Sequence, residues 1–178
     1  MCGIAGYFNP DQNYAENPKQ NFHTLSRMIN TMNHRGPDTY GHTIINSCCL
    51  AHTRLSIIDL ENGRQPMSYT KDGNTYYIVY NGEIYNYKEV KKTLLRKNYT
   101  FETNSDTEVI IAAFCHYGPG FVKELNGIFA IAIYDSMRNT LYLYRDRFGV
   151  KPLYYTKTGD TLVFASRIDT LFEYPRVR

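Results

Sequence analysis

Short apolar runs that alternate with polar positions dominate the chain and predict a protein rich in β-strands. Six such runs are candidate strands, over residues 3–8, 48–58, 76–80, 128–134, 141–146 and 162–165. We expect the last three to be consecutive antiparallel strands joined by short hairpins. Turn signals at Asp72-Gly73 and at Thr158-Gly159-Asp160 each precede one of these runs.

Helical periodicity appears in three stretches instead. Apolar residues recur at three- and four-residue spacing from Phe22 to Met32 and again from Tyr87 to Leu95. A third helix is predicted to begin at SDTE, residues 105–108, which fits a capping box ahead of an apolar run. Strands and helices are grouped and do not strictly alternate. This arrangement favours an α+β fold over a doubly wound parallel sheet.

Composition narrows the class of protein further. The chain has 178 residues, 43% of them hydrophobic and 21% charged, which is typical of one globular domain. A net charge of +3 without a lysine- or arginine-rich run gives no argument for nucleic acid, and no apolar stretch is long enough for a membrane span. The first twenty residues do not resemble a secretory signal.

The four cysteines, Cys2, Cys48, Cys49 and Cys115, show no spacing typical of a metal site. We therefore expect reduced thiols, a cytoplasmic protein and no metal. Cys2 itself has two interpretations, because it lies directly behind the initiator methionine and begins a predicted strand. It is either a small buried hydrophobe or, after removal of Met1, a nucleophile whose own α-amine acts as general base.

A second candidate is YNGEIYNY, residues 80–87. We expect an apolar strand to end at Tyr80 and an Asn-Gly turn to follow at Asn81-Gly82. Such a turn exposes a side-chain amide beside an unhindered backbone N–H, and two donors of this kind can stabilise a developing oxyanion. An ordinary hairpin turn is the alternative interpretation.

Four charged side chains have at least a structural interpretation, and for Arg54 a functional one competes with it. Arg54, in AHTRLSIID, can bind a carboxylate ligand bidentately or form a structural ion pair. In HRGPD, Arg35 and Asp38 can pair with each other. Asp106 lies in the first turn of its predicted helix, where the helix dipole favours a carboxylate in any case.

Taken in order, these stretches resemble the class II glutamine amidotransferases, whose glutaminase domain is an N-terminal nucleophile hydrolase. The resemblance is carried by MCGIAGYF, HRGPD, AHTRLSIID, NGEIYNY, SDTEVI, LNGIFAIAIYD and RDRFGVKPLYY. Within that class, RLSIID together with NGEIYNY is similar to the glutaminase domain of glutamine-hydrolysing asparagine synthetase. The motifs cover nearly the whole chain in the right order.

The resemblance implies a four-layer αββα sandwich, with two antiparallel sheets between helical layers and one glutaminase domain over residues 1–178. Cys2 would be the nucleophile at the end of a central strand, and Asn81 and Gly82 would form the oxyanion hole. The glutamine carboxylate would bind Arg54, and its amine would lie near Asp106. The remaining substrate-binding residues implied are Leu55, Ser56, Ile57, Ile58 and Glu83.

The activity implied is hydrolysis of the side-chain amide of L-glutamine through a Cys2 thioester, without a cofactor in this domain. Ammonia would pass to an asparagine synthetase-type domain, in cis or in trans, and only that domain would use ATP and Mg²⁺. Its Ser-Gly-Gly-x-Asp-Ser loop does not occur in this sequence. A different acceptor, or a catalytically silent binding domain, are alternatives. Neither nucleic acid nor membrane is an expected partner. The sequence is compatible with a homodimer.

One segment departs from the family pattern. Where the family usually has Ser-Glu-Ile-Lys-Ala-Leu, residues 166–171 read SRIDTL, so both charges are reversed at Arg167 and Asp169. The resemblance therefore implies nothing about contacts between this segment and another domain.

Overall fold

The computed structural model describes residues 2–55 and 63–178, which form two antiparallel sheets with helices on their outer faces. The strands and helices of these ranges are β1 (Gly3–Phe8), α1 (Pro18–Met32), β2 (Thr39–Ile45), β3 (Cys48–Arg54), β4 (Met67–Lys71), β5 (Asn74–Ile84), α2 (Tyr87–Leu95), α3 (Asp106–Tyr117), β6 (Gly127–Asp135), β7 (Thr140–Arg145), β8 (Tyr154–Thr158), β9 (Thr161–Ala165) and α4 (Ile168–Leu171). Short 3₁₀ turns lie at Tyr14–Glu16 and Gly118–Glu124.

Sheet I has the strand order β2-β3-β1-β9-β8, and sheet II has the order β4-β5-β6-β7. Neighbouring strands are antiparallel throughout both sheets. Strand β1 is the central strand of sheet I, and Cys2 directly precedes it. The candidate nucleophile is thus held at the end of the strand with paired neighbours on both sides.

The two sheets face each other across an apolar layer, in which Ile4 and Leu50 of sheet I pack with Val79 and Ala132 of sheet II. The outer face of sheet I is covered by α1, and that of sheet II by α2 and α3. The layers are therefore helix, sheet, sheet and helix. The predicted α+β class and αββα sandwich are confirmed.

Strand β3 shows why the strongest apolar runs are the most buried strands. Its side chains alternate between the two faces of sheet I, so that Cys48 and Leu50 face sheet II while Cys49 and Ala51 face α1. Both faces are covered, and the sequence CCLAHTR is buried at every position. A strand buried on both faces loses the polar alternation of a half-exposed strand.

Most predicted elements occur close to their expected positions. The bounds of β1 match the prediction, and α1, α2 and the start of α3 are confirmed. The strand expected over 48–58 ends at Arg54, and residues 56–58 lie outside the described residues. Strands β2, β4 and β8 were not predicted. They are partly exposed edge strands with many polar residues, so their sequences contain no long apolar run.

The expected turn at Asn81-Gly82 is wrong, because both residues lie inside β5. Pairing with β6 continues past them, through Gly82 opposite Phe129 to Ile84 opposite Gly127. Neither Asn81 nor Gly82 has the positive φ that a two-residue hairpin turn of the Asn-Gly kind requires. The Asp72-Gly73 turn, in contrast, has positive φ at both residues and joins β4 to β5.

The expectation for the last three strands is also wrong. Strands β6 and β7 do form a hairpin in sheet II, but β9 belongs to sheet I and pairs with β1 and β8. The segment between β7 and β8 carries the chain from one sheet to the other. No helix in the described ranges is both long and apolar enough to cross a membrane.

Phe164 tests the layer between the sheets, because its ring is 0% exposed there. We expect Phe164→Ala to lower the free energy of unfolding by about 3–5 kcal/mol, since it removes apolar contacts and leaves a cavity. Urea unfolding measures the change. Phe148→Ala is the matched control, with a side chain 92% exposed and an expected change within about 0.5 kcal/mol. Equal stability of the two variants would contradict the assignment.

Candidate active site

A cavity of about 90 Å³ lies where β1, β3, β5 and the start of α3 meet. Six of the predicted site residues line it: Cys2, Arg54, Leu55, Gly82, Glu83 and Asp106. A seventh, Asn81, precedes Gly82 on β5. The predicted residues Ser56, Ile57 and Ile58 lie outside the described residues. Side chains from four separate stretches of the sequence are thus brought to one place.

The Cys2 thiol is partly buried at the start of β1. Its Sγ lies 3.5 Å from the backbone N of Leu55, which donates to it, and 3.6 Å from the Leu55 carbonyl oxygen. The Cys2 carbonyl accepts a hydrogen bond of 3.2 Å from Arg35 Nε. Cys2 is therefore held from both sides, by the residue after β3 and by the HRGPD loop.

Asn81 and Gly82 lie on β5, on the opposite side of the cavity from sheet I. Side chains alternate along a strand, so Asn81, two residues after Val79, points into the space between the sheets. Asn81 is 2% exposed, and within the described part of the chain its Nδ2 has no hydrogen-bond partner. An unpartnered buried donor at this position is available to an acceptor that enters the cavity.

Gly82 is required by the close approach of β6. A Cβ at this position would run into the carbonyl oxygen of Ile128 and would lie 2.8 Å from the Cα of Phe129. The side-chain-free backbone of Gly82 also lines the cavity. The Asn-Gly pair thus combines an amide side chain with an unhindered backbone, as expected, although it does so within a strand.

Asp106 is buried at the first position of α3. Its Oδ2 accepts hydrogen bonds from the Tyr80 hydroxyl at 2.9 Å and from the Ile84 backbone N at 3.4 Å. Burial raises the pKa of the Asp106 carboxyl above its ordinary value, and the hydrogen bonds from Tyr80 and Ile84 oppose that rise. The same burial, together with the Asp106 charge, raises the pKa of Tyr80.

The predicted capping box at the start of α3 is only half formed. Ser105 is the N-cap, and its side chain accepts from Thr107 N at 3.2 Å. Glu108 does not return to the Ser105 N–H; its carboxylate accepts from the backbone N of Glu102 and Thr103, at 2.8 Å each. Because Glu108 anchors the preceding loop, it still fixes the start of the helix that carries Asp106.

Arg54 and Glu83 occupy different environments at the cavity. Arg54 is buried at the end of β3, and its carbonyl accepts from Asp38 N at 3.1 Å, which ties the HRGPD loop to this strand. Glu83 is exposed on β5. The Arg54 guanidinium on sheet I lines the cavity together with the carboxylates of Glu83 on sheet II and Asp106 on α3. These groups are complementary in charge to the carboxylate and the ammonium group of an amino acid.

Several residues at the cavity were missed by sequence reasoning. His52 is 1% exposed, and its Nε2 has no hydrogen-bond partner among the described residues. Burial lowers the pKa of His52 to about 3, so the imidazole is neutral near pH 7. Tyr80, Gln65 and Thr107 also line the cavity. No local sequence pattern marks these residues, because their positions depend on the pairing of strands and the approach of α3.

The reversed charges at Arg167 and Asp169 bind each other. Arg167 Nε lies 2.8 Å from Asp169 Oδ1, and Arg167 Nη1 lies 2.8 Å from His34 Nε2. Asp169 also accepts from Thr170 N at 3.0 Å, at the start of α4. The pair therefore satisfies its own charges on the surface.

With this geometry in view, the comparisons with known proteins define the class. The whole chain, residues 1–178, matches the model of the glutamine amidotransferase domain. The chain therefore belongs to the class II glutamine amidotransferase family.

Two relatives are more specific. The chain is 40% identical over 178 residues to glutamine-hydrolysing asparagine synthetase 3 of Bacillus subtilis, covering 100% of this chain and 28% of the relative. It is 45% identical over 175 residues to asparagine synthetase 2 of the same organism, covering 98% and 23%. The chain is thus related to the asparagine synthetases and spans about a quarter of the length of these curated relatives.

A fungal relative has a different name: amidase chyE of Penicillium rubens is 36% identical, with 98% of this chain and 26% of the relative covered. Among solved structures, glutamine phosphoribosylpyrophosphate amidotransferase of Bacillus subtilis superposes with a TM-score of 0.70 at 19% identity. That match covers 96% of this chain and 43% of the other, and it shows a shared fold.

The Tyr80 hydroxyl provides a test of the electrostatics at Asp106. Tyr80→Phe removes a donor to the ionised carboxylate, so the pKa of Asp106 is expected to rise further. A raised carboxyl pKa costs stability above the folded-state pKa and costs nothing below the unfolded-state pKa. The variant should therefore lose more stability near pH 7 than below about pH 4.

Urea unfolding at the two pH values and NMR titration of the Asp106 carboxyl measure these effects. Tyr85→Phe, at an exposed tyrosine, is the matched control and should show no dependence on pH. A loss of stability in Tyr80→Phe that is equal at both pH values would contradict the coupling between Tyr80 and Asp106.

Proposed function

We propose that this domain hydrolyses the side-chain amide of L-glutamine to glutamate and ammonia through a Cys2 thioester. The observation that carries the proposal is the convergence of Cys2, Arg54, Gly82 and Asp106 on one cavity, in a chain of the glutamine amidotransferase family. A thiol, a cation, an anion and an amide donor are the groups that recognition and attack of glutamine require.

In the proposed complex, Arg54 binds the α-carboxylate of glutamine and Asp106 binds the α-ammonium group. The charges of the substrate match those of the cavity, and Glu83 adds a second acceptor on β5. Leu55 already contacts Cys2 through its backbone, and we propose that it binds glutamine together with Ser56, Ile57 and Ile58. The side-chain amide of glutamine then faces Cys2.

The first half of the reaction requires an N-terminal Cys2, which means that Met1 has been removed. The α-amine accepts the thiol proton, and Sγ attacks the amide carbon. The oxygen that becomes negative accepts hydrogen bonds from Asn81 Nδ2 and the Gly82 backbone N–H. When the tetrahedral intermediate collapses, the C–N bond breaks, the amine returns its proton to the leaving nitrogen, and ammonia departs.

The second half releases glutamate. Water attacks the thioester carbon while the α-amine accepts its proton, and the same two donors stabilise the second oxyanion. The C–S bond then breaks, and Cys2 recovers its proton. No metal or organic cofactor takes part in either half of this proposal.

We propose an asparagine synthetase-type domain as the ammonia acceptor, in cis or in trans, with ATP and Mg²⁺ confined to that domain. The names of the bacterial relatives support this acceptor. The fungal amidase is a reason to keep a different acceptor as the alternative. We assign residues 1–178 to the glutaminase domain and place it in the cytoplasm, where its four free thiols would stay reduced.

Intact mass before and after exposure to a diazo-ketone analogue of glutamine tests the proposal. We expect loss of Met1 and one covalent adduct in the wild type, and no adduct in Cys2→Ala. The same processed chain, assayed on glutamine without the analogue, should release glutamate and ammonia. A processed chain that neither reacts nor turns over glutamine would support a silent binding domain instead.

Asn81 provides the quantitative prediction. Asn81→Ala is expected to lower kcat by about 10²–10³, because one of two oxyanion donors is lost. KM should change much less, since the donor acts on charge that develops only in the transition state. Steady-state release of glutamate measures both constants, with Asn30→Ala on the exposed face of α1 as control. Near-normal turnover would remove Asn81 from this role.

A further inference from the structure

Gln65 lies at the meeting point of three layers of the fold. It precedes β4 by two residues and lines the cavity together with Cys2 and Asp106. Its side chain makes two hydrogen bonds to elements that are distant in sequence. Oε1 accepts from Tyr80 N at 2.6 Å, and Nε2 donates to Thr107 Oγ1 at 3.2 Å.

The bond to Tyr80 continues a strand pairing that the backbone has left. The β4–β5 register places Met67 opposite Ile78, and its extension would place residue 65 opposite Tyr80. Here the side-chain oxygen of Gln65 accepts from the Tyr80 N–H. This bond therefore fixes the edge of β5 that faces β4 as far as Tyr80, the residue immediately before Asn81.

The bond to Thr107 holds the other side of the cavity. Thr107 is buried in the first turn of α3 and immediately follows Asp106. The two partners of the Gln65 carboxamide are thus the direct neighbours of Asn81 and Asp106. One planar group links the strand that carries the proposed oxyanion donor to the helix that carries the proposed ammonium acceptor.

Sheet I fixes the backbone of the same residue. Gly41, on β2, lies so close to Gln65 that a Cβ at position 41 would run into the Gln65 carbonyl oxygen. Gln65 is therefore in contact with sheet I through its backbone, and with sheet II and α3 through its side chain. Displacement of its carboxamide would alter the spacing between these three layers at the cavity.

The two bonds require an acceptor that faces Tyr80 and a polar group that faces the Thr107 hydroxyl. A backbone N–H can only donate, so an acceptor must face Tyr80, and the other end of the side chain then presents two N–H donors to the Thr107 hydroxyl. Methionine has a similar length and flexibility, but it has no donor for Thr107, and its thioether sulfur is only a weak acceptor for the Tyr80 N–H. A glutamate can accept from both partners, because the threonine hydroxyl is able to donate.

We propose that Gln65 is a positioning residue that sets the distance between Asn81 on β5 and Asp106 on α3. The proposal rests on the glutaminase function proposed above and goes beyond it, since Gln65 itself forms no bond with the reacting atoms. Loss of the carboxamide should impair both halves of the site at once: the oxyanion donor, read in kcat, and the ammonium acceptor, read in KM.

Kinetics of glutamate release by wild type, Gln65→Met and Thr107→Val separate these two effects. Gln65→Met is expected to lower kcat by about 10-fold or more and to raise KM, because small displacements of catalytic groups have large effects on rate. Thr107→Val breaks only the bond to the helix, so KM should rise about 5- to 10-fold, the loss expected for one hydrogen bond, while kcat stays within about 2-fold. Thr107→Ser should restore KM.

Gln65→Glu adds a readout that loss of structure alone would not produce. Glutamate replaces the donor with a second acceptor, which the Thr107 hydroxyl can donate to, so both links are kept and kcat should fall less than in Gln65→Met. Its new negative charge near Asp106 should raise the pKa of that carboxyl and move the acid limb of the kcat/KM profile to higher pH. An unchanged profile would contradict the placement of Gln65 beside Asp106.

Gln20→Met, at an exposed position on α1, is the matched control for the substitution itself. Urea unfolding shows that each variant is folded at the assay temperature. Kinetic constants of Gln65→Met within 2-fold of wild type, with turnover by the wild type intact, would overturn the role of Gln65 alone. A processed wild type without turnover would overturn the glutaminase proposal, and this one with it.

Discussion

The apolar contact between the two sheets is the constraint on which the site depends. Ile4 and Leu50 on one sheet, and Val79 and Ala132 on the other, set the distance between β1 and β5. Cys2 directly precedes β1, and Asn81 lies within β5. Neither sheet contains a complete site, and close packing leaves little freedom in their separation. The relative positions of the residues that line the cavity therefore depend on the packing of the core as a whole.

Burial is the second condition that shapes the cavity. Asp106 and His52 line it and Asn81 lies next to the lining residue Gly82, all three with little exposure to solvent. The protein keeps an acidic group there at an energetic cost, which the Tyr80 hydroxyl and the Ile84 amide reduce. Unpartnered atoms of His52 and Asn81 within the described residues add to that cost. Such costs are typical of sites whose polar groups are oriented for a ligand in advance.

Local signals explain what the sequence could predict. The bounds of β1 and the Ser105 N-cap follow from patterns within a few residues, whereas the roles of Cys2 and Asp106 are implied by the resemblance to the family. The Asn81-Gly82 pair by itself predicts a turn, because local propensity does not contain the pairing of β5 with β6. Gln65, His52 and Tyr80 act through partners far away in the chain, and only the register of the strands brings them to the cavity. The edge strands β2, β4 and β8 are partly exposed, so their sequences lack the apolar run from which a strand is predicted.

The Arg167–Asp169 pair has a consequence for how this segment can change in evolution. Each charge is satisfied by the other at close range, and the Arg167 guanidinium holds the pKa of Asp169 below its ordinary value. Replacing either residue alone would leave an uncompensated charge beside His34 and the start of α4. Exchanging both preserves the net charge of the surface, although a basic side chain at position 169 cannot accept from the Thr170 N–H. The charges at the two positions are therefore coupled, and a substitution at one of them changes the electrostatic surroundings of the other.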